Sequence, residues 1–324
     1  MQYRRLGNGP LVVSELSFGT WLTVAGGIGH EQATRCIHAA VDHGITLFDT
    51  ANEYGAGAAE RNLGQALRAF PRDRYMVATK LYFPVGDEPD RGLSTVQIEK
   101  QLNRSLERLG VDCIDLYQCH RYDNETPLEE TLQALDRAVQ SGKVRSIGFS
   151  EWTGEQIDAA ADLAHDSSLV PFSSSQPQYS MLWRKPEREV FPACARQGIS
   201  NLVFSPLAHG VLSGKYAPGQ PPPPGSRAAS DDMNRFMESA GRHFRSDYLL
   251  EAVTQLKPIA ADLGLTMAQM ALAWVLRRPE VASAIIGASR PEQIADNVRA
   301  IGVTLPAEVL ERIDQAVGSV VVWE

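Results

Sequence analysis

Short apolar runs alternate with amphipathic stretches along almost the whole chain. Eight of the runs have the length of buried strands, and they cover residues 15–18, 46–49, 75–79, 114–118, 144–149, 172–176, 201–205 and 283–286. Between them, apolar residues recur at the spacing of one helix face. The pattern therefore predicts strands and helices in regular alternation.

The predicted helices end at residues that favour helix ends. Four of them are predicted over residues 31–43, 58–69, 95–109 and 128–141. Gly44 and Gly110 follow two of these segments, where a left-handed residue closes a helix. A later helix is predicted over 249–262, and Thr266 is placed to cap another over 267–277.

A strand followed by a helix, repeated eight times with short connections, favours a (β/α)8 TIM barrel. A doubly wound parallel sheet has the same alternation, and periodicity does not separate the two. Residues 11–13 predict part of an N-terminal β-hairpin, and residues 216–244 predict a long loop after the seventh strand. The chain carries no internal repeat or domain linker, so residues 1–324 are interpreted as one domain.

Composition narrows the class of partner. The net charge of −8 over 324 residues argues against binding to nucleic acid or to an anionic membrane, since both favour a basic face. No apolar run reaches 18 residues and no signal peptide is recognisable, so we expect a cytoplasmic protein without membrane insertion. The four cysteines are far apart and match neither a zinc motif nor a disulfide framework, which favours reduced thiols and no metal.

Four chemically active side chains are expected at one end of the barrel. The active sites of such barrels lie at the C-terminal strand ends. Because side chains alternate along a strand, Asp49, Lys80 and His120 are each predicted to point towards the barrel axis there. Tyr54 follows in the loop after Asp49 and is able to fold over the same place. Each residue has an ordinary structural explanation by itself, but their convergence favours catalysis.

The chemistry of this set points to carbonyl reduction. A free tyrosine titrates near pH 10, so Tyr54 needs help to act as a general acid. The Lys80 ammonium is expected to lower the pKa of Tyr54, while Asp49 keeps the lysine charged and oriented. His120 is able to hydrogen-bond a substrate carbonyl. The missing hydride has to come from a nicotinamide, because no side chain supplies one.

These residues lie in motifs that resemble the aldo-keto reductase superfamily, especially its potassium-channel β-subunit-like branch. The main motif is residues 44–55, GITLFDTANEYG, followed in order by ATK at 78–80, DCIDLYQCH at 112–120 and GFSEW at 148–152. The resemblance covers roughly residues 3–317 and implies that Asp49, Tyr54, Lys80 and His120 form a catalytic tetrad.

The resemblance also implies an NADP(H) site without a glycine-rich Rossmann loop. Ser150 and Gln176 would hold the carboxamide, and the stretch from Phe204 to Gly210 would stack on the nicotinamide and line the pyrophosphate. The implied cofactor contacts are Thr20, Trp21, Asp49, Ser150, Glu151, Gln176, Phe204, Ser205, Pro206, Leu207, Gly210, Lys215, Arg227, Gly287, Ser289, Arg290, Gln293, Asp296 and Asn297.

Charge and backbone suggest where the cofactor phosphates would lie. The segment from Gly287 to Gln293 begins a helix, where backbone N–H groups favour an anion. Arg290, Lys215 and Arg227 are candidates to pair with a 2′-phosphate, which favours NADPH over NADH. For Lys215 and Arg290, a solvated surface charge is the alternative.

The substrate side is less defined. Trp21, Tyr54, Tyr82, His120 and Trp152 are expected to line the mouth and contact a small carbonyl compound. A sugar, a steroid and a simple aldehyde are equally compatible with the sequence, and so are a pathway reductase and an aldehyde-detoxifying enzyme. The resemblance allows either a monomer or a homo-oligomer.

Two other functions are compatible with the same residues. A Schiff-base aldolase would use a strand-end lysine, although pairing with Asp49 makes Lys80 a poor nucleophile. A nicotinamide-binding regulatory subunit of a membrane channel would need little or no turnover, and the intact tetrad favours retained chemistry.

Overall fold

The computed structural model describes residues 1–87, 90–229 and 246–323. The strands are β1 (Tyr3–Arg5), β2 (Val12–Ser14), β3 (Leu16–Gly19), β4 (Leu47–Asp49), β5 (Met76–Leu81), β6 (Ile114–Cys119), β7 (Val144–Ser150), β8 (Ser174–Gln176), β9 (Ser200–Phe204) and β10 (Val281–Ile286). Eight of these strands are parallel and close into a barrel in the order β10-β3-β4-β5-β6-β7-β8-β9, and β1 pairs with β2 as a separate antiparallel hairpin.

Helices follow the strands around the outside. They are α1 (His30–Asp42), α2 (Ala58–Leu67), α3 (Thr95–Leu109), α4 (Leu128–Gln140), α5 (Gly154–Asp166), α6 (Val190–Gln197), α7 (Asp247–Thr254), α8 (Leu256–Asp262), α9 (Met267–Leu276), α10 (Pro291–Asn297) and α11 (Ala307–Val317). The predicted (β/α)8 TIM barrel with an N-terminal hairpin is therefore confirmed, and the doubly wound alternative is wrong because the sheet closes on itself.

Two apolar layers fix which side chains face the barrel axis. Leu47, Ala78 and Leu116 belong to an inner cluster that Leu6, Leu11 and Val13 also join. The next residues along the strands, such as Phe48 and Tyr117, pack outward in the cluster shared with the helices. Because side chains alternate, the residues two positions after the inner ones also face inward. That parity carries Asp49, Lys80 and Gln118 into the barrel interior.

The observed boundaries differ from the predicted ones in two informative places. Strand β5 continues through Lys80 to Leu81, so the lysine lies within the sheet rather than after it. The helix predicted over 249–262 is two helices that meet at Gln255. Pro258 has no N–H to donate to the carbonyl four residues earlier, which explains the break. Of the long loop predicted over 216–244, residues 230–244 lie outside the described part.

Within the described ranges, no single helix has both the length and the apolar composition needed to cross a membrane. One bent pair, Asp247–Asp262 with Met267–Leu276 at 89°, meets those criteria jointly by length and composition.

Gly64 sets the contact between α2 and α3. A Cβ atom at this position would overlap the backbone carbonyl of Leu109, near the end of α3. The absence of a side chain therefore lets the two helices approach closely, and the approach fixes the spacing of the side chains on either side of the contact.

We predict that Gly64→Ala lowers the free energy of unfolding by about 1–3 kcal/mol, because overlap with the Leu109 backbone outweighs the gain in helix propensity. Chemical denaturation of the purified variant measures this. Gly318→Ala is the matched control, since open space surrounds Gly318, and its change should stay within about 0.5 kcal/mol. Equal effects of the two substitutions would contradict the proposed helix contact.

Candidate active site

A buried ion pair lies at the C-terminal end of the barrel interior. The Lys80 side chain is fully buried, and its Nζ donates to Asp49 Oδ2 at 2.6 Å and to the Thr50 carbonyl at 2.8 Å. It also donates to Tyr54 Oη at 3.4 Å. The structure thus brings together three of the four residues that the sequence predicted to converge. Thr50 had no assigned role, because its contribution comes from the backbone.

Asp49 is held from several sides. Its Oδ1 accepts from Gln176 Nε2 at 2.8 Å and from Gln118 Nε2 at 3.3 Å. The backbone N–H and the hydroxyl of Thr20 both donate to the Asp49 carbonyl oxygen, at 3.0 and 3.1 Å. A buried carboxylate is stabilised when its remaining lone pairs are satisfied in this way. The sequence analysis assigned no role to Gln118.

The loop after β4 places Tyr54 beside the imidazole. Tyr54 and His120 have ring centroids 5.8 Å apart in an edge-to-face arrangement, and Tyr54 is 9 % exposed. Trp21 lies on another side of the phenol at 6.3 Å. The His120 N–H donates to the Leu81 carbonyl, so the imidazole is placed by the backbone just after β6. All four predicted catalytic side chains therefore lie at one mouth.

Burial determines the protonation states of Tyr54 and His120. Burial, followed by the Asp49 and Glu53 carboxylates, raises the pKa of Tyr54 well above its ordinary value. The expected lowering of the Tyr54 pKa by Lys80 is therefore not the net effect. Burial, with Lys80 and Arg121 nearby, lowers the pKa of His120 well below its usual value. At neutral pH the phenol keeps its proton, and the imidazole is neutral.

Glu53 is a site residue that the sequence analysis did not assign. Its Oε1 lies 3.6 Å from His120 Nδ1, and that nitrogen is buried without a hydrogen bond to any described residue. Burial raises the pKa of Glu53, while Lys80 and Arg121 act in the opposite direction. Its position directly before Tyr54 was the available signal, but only the fold brings residues 53 and 120 together.

The proposed nicotinamide contacts fall on neighbouring strands. Ser150 pairs in register with Gln176, and its hydroxyl donates to the Gln176 carbonyl at 2.8 Å. The Glu151 carboxylate accepts from the Gln178 N–H at 2.7 Å. The Gln176 side chain is directed to Asp49, so it connects this row of residues to the ion pair.

The segment after β9 has an unusual backbone. Ser205, Ala208 and His209 all have positive φ, at 55°, 44° and 57°, and Gly210 follows at 97°. The N–H groups of Ala208 and Gly210 donate within this turn, to the Ser205 and Leu207 carbonyls at 2.9 Å each. Phe204 is half-buried, and Pro206 and Leu207 lie in the same segment.

Two of the predicted phosphate-binding cations lie close to the turn from Ser205 to Gly210. A Cβ on Gly210 would stand 3.1 Å from Lys215 Nζ. Arg227 Nη1 lies 3.1 Å from His209 Nδ1. Burial lowers the pKa of the Arg227 guanidinium. Neither cation pairs with a carboxylate among the residues that the structure describes. A half-buried arginine without a counter-ion favours an anionic ligand.

The start of α10 is already hydrogen-bonded. Gln293 Oε1 accepts from the Ser289 and Arg290 N–H groups at 2.8 and 3.2 Å, so an anion there would have to displace this carboxamide. The Arg290 side chain is exposed, as is Gly287. Asp296 accepts from Gln269 Nε2 at 2.7 Å and thereby connects α10 to α9. An adenine contact through Asp296 would compete with this bond. Asn297 is buried and takes no part in the bond between Gln269 and Asp296.

The predicted substrate contacts separate into two groups. Tyr82 is half-buried and accepts a hydrogen bond from Arg91, and the neighbouring Phe83 packs edge-to-face on His120 at 5.2 Å. Phe83 is therefore the aromatic residue of this loop that touches the imidazole. Trp152 is 2 % exposed and stacks on Phe149, so packing in the helix layer accounts for its place.

A closed parallel barrel with titratable side chains gathered at the C-terminal strand ends is the architecture of the barrel enzymes. A model of the aldo/keto reductase family matches residues 15–317. The chain therefore belongs to the aldo/keto reductase family.

Three relatives are similar over nearly the whole chain. A probable voltage-gated potassium channel subunit beta of Arabidopsis thaliana is 39 % identical, covering 98 % of this chain and 97 % of the relative. A protein of the same description from Oryza sativa subsp. japonica has the same identity and coverage. A putative voltage-gated potassium channel subunit beta of Schizosaccharomyces pombe is 38 % identical, covering 97 % of this chain and 92 % of the relative.

We predict that Glu53→Gln stabilises the protein at neutral pH but not at acid pH. A carboxyl group whose folded pKa is raised contributes stability below its unfolded pKa, near 4.3, and loses it as the pH rises through the folded value. The wild type should therefore lose stability relative to Glu53→Gln between about pH 4 and pH 7. Denaturation midpoints across this range measure it, and parallel curves for the two proteins would refute the assignment.

Proposed function

We propose that the protein reduces an aldehyde or ketone to an alcohol by direct hydride transfer from NADPH, with Tyr54 as the general acid. The observation that carries this proposal is the buried Lys80, which bonds both Asp49 and the Tyr54 hydroxyl. A lysine held in this way acts on charge that develops at the phenol, and membership of the aldo/keto reductase family supports an oxidoreductase.

Tyr54 is the proton donor that fits the local electrostatics. Its raised pKa keeps the proton on the phenol before reaction. As charge builds on a substrate oxygen, the proton moves from Tyr54 Oη to that oxygen, and Lys80 Nζ stabilises the phenolate that remains. Asp49 holds the ammonium in place through the 2.6 Å bond. His120 is neutral, so it orients the carbonyl rather than protonating it.

The residues present fit a nicotinamide dinucleotide phosphate. The cations Lys215 and Arg227 lie beside the turn from Ser205 to Gly210, where they would pair with the phosphates of the cofactor. Ser150 and Gln176 would hold the carboxamide, and Phe204 would pack against the ring. A bound nicotinamide would supply the hydride that the side chains lack.

The charge at this place favours NADPH over NADH. Lys215, Arg227 and Arg290 are three cations in the segments proposed to receive the adenosine half of the cofactor. A 2′-phosphate would pair with such cations, whereas a free ribose hydroxyl is usually bound by a carboxylate. Gln293 would then rotate away from the Ser289 and Arg290 N–H groups to admit a phosphate oxygen.

The geometry disfavours a Schiff-base aldolase. Lys80 is fully buried and donates to a carboxylate, a carbonyl and a phenol. An amine needs a free lone pair to attack a carbonyl carbon, and Lys80 Nζ is engaged as a donor in three hydrogen bonds.

A second candidate is a nicotinamide-binding regulatory protein with slow turnover. The observation that favours it is similarity over nearly the full length to proteins described as potassium channel subunits. The complete tetrad favours chemistry, but the two roles are compatible in one chain, so a binding and a turnover measurement are both needed.

The function is tested by titrating NADPH and NADH against the intrinsic fluorescence of the purified protein and then following nicotinamide absorbance with a panel of aldehydes and ketones. The proposal expects saturable NADPH binding and oxidation on at least one carbonyl compound. Binding without oxidation across the panel would favour the regulatory function, and absence of binding would contradict both.

We predict that Tyr54→Phe retains NADPH affinity and lowers kcat by about 10²–10⁴-fold, the usual contribution of a general acid. Only one hydroxyl is removed, so the packing against Trp21 and His120 should persist. Tyr248→Phe, on an exposed tyrosine of α7, is the matched control and should leave kcat unchanged. Undiminished turnover by Tyr54→Phe would exclude this residue as the acid.

We predict that Arg290→Ala weakens NADPH binding about tenfold and NADH binding at most twofold, because only NADPH carries the 2′-phosphate. Fluorescence titration of both cofactors measures the difference. Arg196→Ala removes an exposed arginine elsewhere on the surface and serves as the control. Equal losses for the two cofactors would show that Arg290 is not at the 2′-phosphate.

A further inference from the structure

A second positively charged site lies on the outside of the barrel, between α2 and α3. Here a groove of about 770 Å³ opens to solvent. We call it the arginine groove and define it by the polar residues that line it, which are Arg61, Gln65, Arg68, Arg104, Glu107 and Arg108. Ala56 and Val85 form an apolar edge. None of the four candidate catalytic side chains lines it.

Helical spacing directs these side chains into one groove. Arg61 and Gln65 lie four residues apart on α2, and Arg68 follows the last residue of α2 in helical conformation, so the three side chains share one face. Arg104 and Arg108 are four residues apart on α3 and face them. The close approach of the helices at Gly64, described above, holds the two arginine rows on opposite sides of one cleft.

The positive charge is only partly neutralised. Arg108 Nε donates to the buried Glu60 at 2.6 Å, and Arg104 lies 3.8 Å from Asp90. Arg61 donates to the Ala56 carbonyl, and neither Arg61 nor Arg68 has a carboxylate partner among the residues that the structure describes. Among the described residues that line the groove, Glu107 is the one acidic residue.

Two guanidinium groups converge on one point at the start of α2. A Cβ atom on Gly57 would stand 3.2 Å from both Arg61 Nη1 and Arg108 Nε. Arg108 Cδ would stand 2.8 Å from the same Cβ atom, so the arginine side chains pack over Gly57 in the space that a side chain would need. The N-terminus of the ten-residue helix α2 adds positive potential at this end of the groove. An anion bound in the groove beside the two cations would relieve their repulsion.

We propose that the arginine groove binds a small molecule that carries two or more linked phosphate groups. Arg61 and Arg68 are two turns apart, roughly 10 Å along the helix axis, so a single phosphate does not reach both. Guanidinium groups match phosphate oxygens in two-point contacts. The apolar edge at Ala56 and Val85 would accommodate an organic part of the ligand.

This site is distinct from the cofactor site proposed above. The cofactor cations follow β9 and β10, whereas the arginine groove lies between the helices that follow β4 and β5. Substitutions in one set leave the other set unchanged. The two proposals therefore fail independently: loss of NADPH binding tests the first, and polyphosphate binding to the arginine groove tests the second.

The test is calorimetric titration of the full chain with inorganic tripolyphosphate at low salt. The double variant Arg61→Gln/Arg68→Gln keeps two good helix formers at exposed positions, so folding should be unaffected. We expect it to bind tripolyphosphate at least about tenfold more weakly than the wild type. Arg312→Gln, an exposed helix arginine paired with Asp262, is the matched control and should bind like the wild type.

Four outcomes would overturn the proposal. The first is absence of tripolyphosphate binding to the wild type up to about 10 mM, which is weaker than any specific site. The second is unchanged affinity in the double variant. The third is binding that Arg290→Ala abolishes while the double variant retains it, because the ligand would then occupy the cofactor region. Inorganic phosphate should bind at least about tenfold more weakly than tripolyphosphate, and equal affinities would contradict a two-group ligand.

Discussion

The ion pair between Lys80 and Asp49 is the interaction on which the rest of the site depends. Both charges lie inside the barrel, where removal from water costs several kcal/mol per ion. The cost is offset by the 2.6 Å contact, by the bond that Lys80 donates to the Thr50 carbonyl and by the bonds that Asp49 accepts from Gln118 and Gln176. These three partners lie just after β4, on β6 and on β8, so only the closed barrel satisfies the pair.

The same burial sets the protonation states of the Tyr54 phenol and the His120 imidazole. Exclusion of water disfavours any charged form, so Tyr54 holds its proton and His120 remains neutral. Glu53 feels the same effect and lies against His120. A proton is therefore available from one group at the mouth, while a neighbouring group offers a hydrogen bond without competing for that role.

The distribution of charge matters more than its sum. The chain has a net charge of −8, yet cations gather in two places, near the turn after β9 and in the arginine groove. In the first, the Lys215 side chain packs over Gly210, and in the second, the Arg61 and Arg108 side chains pack over Gly57. Local fields of this kind attract anionic ligands even on an acidic protein.

The sequence by itself determined the alternation of strands and helices and the inward parity of Asp49 and Lys80, because periodicity and side-chain alternation are local properties. Tertiary structure decided the rest. The contact of Glu53 with His120, the packing of Trp152 and the bonding of Gln293 to the start of α10 depend on which elements become neighbours. The net direction of the Tyr54 pKa belongs here too, since burial and then the Asp49 and Glu53 carboxylates raise it.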